Sequence, residues 1–327
     1  MKLQTKDIIF ICDDNYCMPT IVSIQSIIDN GEITNSDVCI HVCTFGLSES
    51  NIALIKNAEK GGVRISIDLF DFNKYEHRIT CIAQKSHVTP TALIKFELPY
   101  YYSQIDNVLY LDSDILVKGN LEELLNTDIS GCYVAASYEF YCHLDRIRYS
   151  LHRSVSNDFY FNSGVMLMNL KKMREDTIPE LLWDYKLNKA KTRLMDQESL
   201  NAVCGAKSIH LPIVWNFNPR FLSRKYLAEI NKVYLTNFSS VDEIENDIKI
   251  IHYVGKPDKP WIYSTAHMRE YWDIVYKRLK WSSSLNLLET KQTARSVFDS
   301  IHSKLTNYGL FGTFCFFIYT IQNKLFK

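Results

Sequence analysis

The first third of the chain alternates short, almost unbroken apolar runs with segments whose apolar residues recur at helical spacing. A strand that is apolar at every position must be covered on both faces, and a parallel sheet covers itself with its own crossover helices. Residues 8–12 read as the first strand. Pro19 stands at a first helical position, and Ile21, Ile24 and Ile28 follow on one helical face. Residues 38–45 give a second strand, 48–60 a helix stopped by Gly61 and Gly62, and 63–69 a third strand. Residues 91–102 read as helix, and 108–111 as a fourth strand that runs into Asp112, Ser113 and Asp114. This order predicts an α/β fold built on one doubly wound, mostly parallel sheet, with ligands at the carboxyl ends of its strands.

Past residue 130 the alternation loosens. Strands are expected at 132–137, 164–169 and 248–253, and helices near 171–189, 196–204 and 267–280. These complete one domain over residues 1–280. Ser282, Ser283 and Ser284 mark a linker into a C-terminal segment, 281–327.

A chain of 327 residues, 46% of them apolar, has ample core and needs neither disulfides nor a structural metal. Its 37 basic and 37 acidic side chains argue against nucleic acid as a partner, because neutralising phosphates takes a surplus of Lys and Arg. The charge is uneven, though. From residue 277 onward there are eight basic and two acidic residues, and 305–323 carries no charge and is rich in Phe, Leu and Ile. That segment is too short in strongly apolar residues to span a bilayer. It reads as a helical, basic and aromatic tail resting on an anionic membrane surface, with a packed core helix as the alternative. Nine cysteines form no CxxC pair, and no signal peptide precedes residue 8, so a reducing, cytoplasmic setting is expected.

Three places carry chemistry. Asp112 and Asp114 lie one residue apart at a strand end, which puts both carboxylates on one side of the chain. His252 follows an apolar run and opens the segment HYVGKPDKPW. Two carboxylates and an imidazole leave open positions on an octahedral ion for phosphate oxygens, and this mixed set suits Mn²⁺ at least as well as Mg²⁺. Asp13, Asp14, Asn15 and Tyr16 sit at the end of the first strand, where a nucleoside would lie. Neither a GxGxxG turn nor a Walker A sequence is present, which argues against dinucleotide cofactors and P-loop chemistry.

Together these residues resemble glycosyltransferase family 8, which includes bacterial lipopolysaccharide galactosyl- and glucosyltransferases and glycogenin. The resemblance rests on DDNY at 13–16, HVTPTALIKFELP at 87–99, VLYLDSDILV at 108–117, FNSGVMLMNL at 161–170, DQESLN at 196–201 and HYVGKPDKPW at 252–261. It implies a GT-A type fold and retaining transfer of glucose or galactose from a UDP-sugar to a lipopolysaccharide or other glycan or glycolipid acceptor. It also implies that Asp112, Asp114 and His252 hold Mn²⁺ against the diphosphate, with Ser113 beside it. Asp13 and Asn15 would meet uridine, and Lys95 phosphate or sugar. His87 would lie near the diphosphate, and Asn162, Asp196 and Gln197 would line the donor hexose, with Gln197 on the nucleophile's face. Gly255 and Lys259 would close on the phosphates. The segment after His252 is one residue longer than usual, which leaves Lys256 as an alternative to Lys259. Glu139 stands near the place of an Asp that binds sugar hydroxyls in the family. Two other classes share parts of the pattern: a sugar-phosphate nucleotidyltransferase, whose Gly-rich triphosphate loop the sequence lacks, and a non-catalytic nucleotide-sugar-binding protein at the membrane periphery.

Overall fold

The computed structural model describes residues 5–33, 37–83, 90–144, 160–188 and 196–279. The chain divides into two units, Met1–His252 and Tyr253–Lys327. The anticipated boundary near residue 280, and the aromatic tail beyond it, lie outside the described residues.

Nine strands are found among the described residues, all in the first unit. They are β1 (Lys6–Ile11), β2 (Val38–Thr44), β3 (Val63–Leu69), β4 (Asn107–Leu111), β5 (Ile115–Val117), β6 (Val134–Tyr138), β7 (Phe161–Asn169), β8 (Ser208–Leu211) and β9 (Ile250–His252). Seven form one sheet in the order β3-β2-β1-β4-β7-β6-β8, and β5 pairs with β9 apart from it. β3, β2, β1 and β4 run parallel, β7 is antiparallel to both β4 and β6, and β6 is parallel to β8. The sheet is therefore mixed and mostly parallel, as the apolar runs imply. Ile8, Ile9 and Phe10 are all fully buried although alternate side chains point to opposite faces, so β1 is covered on both sides. The order of connection reverses between β1 and β4, and a crevice opens there at the carboxyl ends of the two strands.

Two expected helices are broken, each at a proline. Residues 91–102 form a 3₁₀ stretch, Pro90–Phe96, followed by the short helix Leu98–Tyr101 with Pro99 near its start. Arg174 Nη1 donates to the carbonyls of Pro99, Tyr102 and Ile105, each at 3.0 Å, and so holds the end of this helix. Residues 171–189 form Leu170–Glu175 and Ile178–Asn188, separated at Thr177, whose φ is +51°. A proline inside a continuous helix lacks the N–H that the ladder needs, whereas in the first turn of a new helix it costs nothing. The strand expected at 248–253 shortens to β9, and that at 164–169 begins three residues earlier, at Phe161. The pattern alone gave no sign of β5, β8 or the helices Phe72–Ala83, Arg224–Tyr234 and Val241–Asp247.

Away from the crevice, His41 of β2 lies between two carboxylates, with Nε2 3.0 Å from Asp7 Oδ1 and Nδ1 3.0 Å from Asp68 Oδ2. No disulfide occurs among the described cysteines. Burial pushes the Cys12 and Cys17 thiols up to about 12, so they stay protonated and unreactive. In the second unit, Tyr253 OH donates to Met268 O at 2.9 Å, and Trp272 of the helix Arg269–Arg278 stacks on Tyr276. Among the described residues no helix is long and apolar enough to cross a membrane.

Candidate active site

The turn Asp112-Ser113-Asp114 leaves the seven-stranded sheet at the end of β4 and enters the two-stranded sheet as β5. Ser113, read as a nucleotide contact, donates its hydroxyl to Ile11 O at 2.9 Å and thereby ties the turn to the end of β1. The Asp112 backbone N–H donates to Gly164 O at 2.8 Å, which ties it to β7. The two aspartates are thus fixed at the switch point by bonds to both neighbouring strands.

His252 arrives from 138 residues further along the chain through strand pairing. In the antiparallel β5–β9 ladder, Ile115 faces His252, so the imidazole stands one residue from Asp114. Its Nε2 is 3.2 Å from Asp114 Oδ1 and 3.7 Å from Asp112 Oδ2. One donor atom from each of the three residues lies within 4.8 Å of the others. Both the donor chemistry and the spacing therefore fit one hard divalent cation of the Mn²⁺ or Mg²⁺ type. Gly164 lies beneath this group. A Cβ there would overlap the His252 ring and come within 2.8 Å of Asp112 Oδ2, so only glycine allows the two ligands to approach.

Lys95 is buried between acids. Its Nζ lies 2.5 Å from Asp196 Oδ2, 3.2 Å from Asp112 Oδ1 and 3.2 Å from Ser163 O, over the ring of Tyr110. Burial alone would depress its pKa, but Asp112 and Asp196 outweigh that and hold the ammonium above the ordinary lysine value. These three partners match the three donors of an ammonium group. Tyr110 OH donates to Asp112 Oδ1 at 2.6 Å, and burial followed by the Asp112 charge raises the phenol well above its usual value. Oδ1 of Asp112 is thus occupied by Tyr110 and Lys95, and Oδ2 is the oxygen turned toward His252.

Asp196 and Gln197 begin the helix Gln197–Cys204. Asn201 of that helix accepts from Phe161 N at 2.7 Å and donates to Phe161 O at 2.9 Å, bolting the helix to the start of β7. Ser163 then meets both residues: its hydroxyl donates to Asp196 Oδ2 at 3.0 Å, and its backbone N–H donates to Gln197 Oε1 at 3.0 Å. Asn162 donates to Glu139 Oε2 at 2.7 Å.

At the end of β1, Asp13 accepts from the backbone N–H groups of Asn15 and Tyr16 at 3.0 and 3.1 Å and so shapes the turn. Asn15 is exposed. Asp14 accepts from Ser48 and Asn51, and the Ser48 backbone N–H, followed by the Asn51 amide, holds its carboxyl below the usual range. Asp13, Tyr16, Lys95, Asp112, Ser113, Asp114 and Asp196 line one cleft of about 220 Å³, whereas Asn15, Asn162, Gln197 and His252 are not part of its lining. His87 and the Lys256 side chain lie outside the described residues. In the second unit, Gly255 takes φ of +84°, which favours glycine, and Lys259 Nζ donates to Tyr253 O at 2.7 Å. Sequence reasoning missed Tyr110, Ser163, Gly164, Asn201 and Asn216. Asn201 closes the DQESLN segment and Asn216 stands between Trp215 and Phe217, and neither shows a role until distant elements meet.

Comparison with known proteins agrees with this geometry. The chain is 27% identical to a lipopolysaccharide 1,2-glucosyltransferase of Escherichia coli over 280 residues, covering 82% of this chain and 77% of that protein. It is 26% identical to a lipopolysaccharide 1,3-galactosyltransferase of Salmonella typhimurium, covering 76% and 71%. Among solved structures it is similar to the galactosyltransferase LgtC in complex with donor and acceptor sugar analogues. That likeness has a TM-score of 0.66 and 25% identity, covering 84% of this chain and 96% of LgtC. The glycosyl transferase family 8 model matches residues 7–265, and the chain therefore belongs to that family, a glycosyltransferase of GT-A type fold.

Proposed function

We propose that the protein is a Mn²⁺-dependent, retaining hexosyltransferase that moves glucose or galactose from a UDP-sugar to a lipopolysaccharide or related cell-surface glycan. The observation that carries this reading is the meeting of Asp112, Asp114 and His252, the first two of which line a cleft together with Lys95 and Asp196. Uridine would lie against Asp13 and Asn15 at the end of β1. Asp112, Asp114 and His252 would hold the cation, which would neutralise the diphosphate. Breaking the anomeric C–O bond leaves positive charge on the sugar and negative charge on UDP, so fixed charges around the diphosphate favour departure.

Asp196, Gln197, Asn162 and Glu139 would face the hexose. A neutral amide is a weak nucleophile, so Gln197 acts by orienting and stabilising the oxocarbenium-like sugar while the acceptor hydroxyl attacks from the leaving group's face. Lys95 contributes differently, its charge offsetting the two carboxylates between which it lies. The test is UDP release from UDP-glucose, UDP-galactose and their N-acetyl forms, with and without Mn²⁺, followed by analysis of the product anomer. Release that is Mn²⁺-dependent and lost in the Asp112→Asn/Asp114→Asn variant supports the reading. Undiminished turnover in that variant refutes it.

The basic, aromatic segment 281–327 is proposed to rest on the inner face of the cytoplasmic membrane, near a lipid-linked acceptor. Deleting residues 282–327 should shift the protein from the membrane to the soluble fraction while UDP-sugar hydrolysis persists. Unchanged membrane recovery would rule the anchor out.

A further inference from the structure

The His252 ring is held from behind by a chain of amides, and their polarities can be worked out from its ends. Gly164 N–H can only donate, and it meets the Asn162 side chain at 2.9 Å, so the atom there is the amide oxygen, Oδ1. The Asn162 nitrogen must then point the other way, where it meets Glu139 Oε2, a carboxylate oxygen, at 2.7 Å. The same Asn162 Oδ1 lies 2.9 Å from the side chain of Asn216, which must therefore present its Nδ2. That leaves Asn216 Oδ1 facing His252 Nδ1 at 2.8 Å. An amide oxygen can only accept, so Nδ1 must carry the proton.

We propose that Asn162 and Asn216 form a tautomer-setting relay, anchored by Gly164 and Glu139, that keeps the His252 proton on Nδ1 and presents Nε2 as a bare lone pair to the cation. This inference rests on the proposed metal reading and deepens it. Asn216 and Asn162 are positioning residues. Asn216 is buried and holds the ring, while the adjacent Phe217 C=O accepts the His252 backbone N–H at 2.8 Å, so the residue is fixed at both backbone and side chain. With Nδ1 protonated, Nε2 and the oxygens of Asp112 and Asp114 form three acceptors aimed at one point. The opposite tautomer would put an N–H there and oppose a metal. A hydrogen bond behind a ligating imidazole is known to fix its tautomer and raise its basicity, with losses of about 10–100-fold in metal affinity when it is removed.

The test has two readouts besides turnover. Mn²⁺ affinity, measured by electron paramagnetic resonance titration of the full chain, should fall about 10–100-fold in Asn216→Ala. It should fall less in Asn216→Asp, whose carboxylate still accepts from Nδ1 although it no longer donates to Asn162 Oδ1. Equal loss in both variants would indicate a merely structural residue and overturn the relay, as would wild-type affinity in Asn216→Ala. Long-range ¹H–¹⁵N spectra of ¹⁵N-histidine-labelled wild-type protein with diamagnetic Mg²⁺ should place the His252 proton on Nδ1, and a proton on Nε2 would overturn the proposal. This spectrum needs no variant, so it decides the matter if Asn216→Ala fails to fold. If the wild type binds neither ion, the function reading fails, and the same spectrum taken without metal still decides the tautomer.

Discussion

Gly164 lies beneath the imidazole of His252 so closely that any side chain there would occupy the ring's own space and press on Asp112 Oδ2. The backbone of β7 thus sets how near two cation ligands can approach. Gly164→Ala should leave the sheet intact, because alanine fits a strand, but it should displace the ring. Mn²⁺ affinity is expected to fall on the order of 10–100-fold while the far-ultraviolet circular dichroism stays unchanged. Titrating Mn²⁺ into the two proteins checks this, and equal affinities would show that the ring has other room.

Lys95 is 3% exposed and is the cation between Asp112 and Asp196. Removing one partner of a buried ion pair leaves an uncompensated charge, and Lys95→Met should cost about 3–5 kcal/mol in urea unfolding. The double variant Lys95→Met/Asp196→Asn should recover part of that loss, since one stranded carboxylate is then neutral. No recovery would mean that the lysine's worth lies in packing over Tyr110 and not in charge.

Asn201 satisfies both backbone groups of Phe161 from the side of a helix. In Asn201→Ala the Phe161 N–H and C=O lose their partner in a buried place, at a cost of about 2–3 kcal/mol. Asp196 and Gln197 ride on that helix, so donor turnover should fall more than stability alone explains. Thermal melts and kcat measured on the same preparation separate the two effects.

His41 gives the protein a pH-dependent term remote from the cleft. Burial would lower its pKa, but hydrogen bonds to Asp68 and then Asp7 override this and push it from 6.5 to about 11. The charged form is favoured in the folded state, so its contribution to stability is full below about pH 6.5 and is lost as pH climbs toward 11. The wild type should lose more melting temperature between about pH 6 and pH 9.5 than His41→Gln does. Parallel slopes for the two proteins would contradict this.

Much of the site was legible because its residues sit where the pattern changes. An apolar run that ends abruptly on Asp112 and Asp114 announces a buried strand delivering carboxylates to an edge, and β4 does that. The breaks in the helices expected at 91–102 and 171–189 were not read, although Pro99 and Pro179 stand within them. What could not be read was pairing. β5 is three residues that continue the apolar character of β4, and only its ladder with β9 shows why His252 reaches Asp114. Gly164 and Asn216 look like an ordinary strand glycine and a loop asparagine. Their roles exist only once β4, β7 and β9 meet, and no local periodicity encodes that.

Whether Asp112, Asp114 and His252 share a single cation is decided most directly by Mn²⁺ titration in the presence of UDP, followed by electron paramagnetic resonance, on the wild type and on His252→Gln. One strong site per chain is predicted in the wild type, with its loss when the imidazole is removed. Wild-type binding in His252→Gln would contradict the assignment.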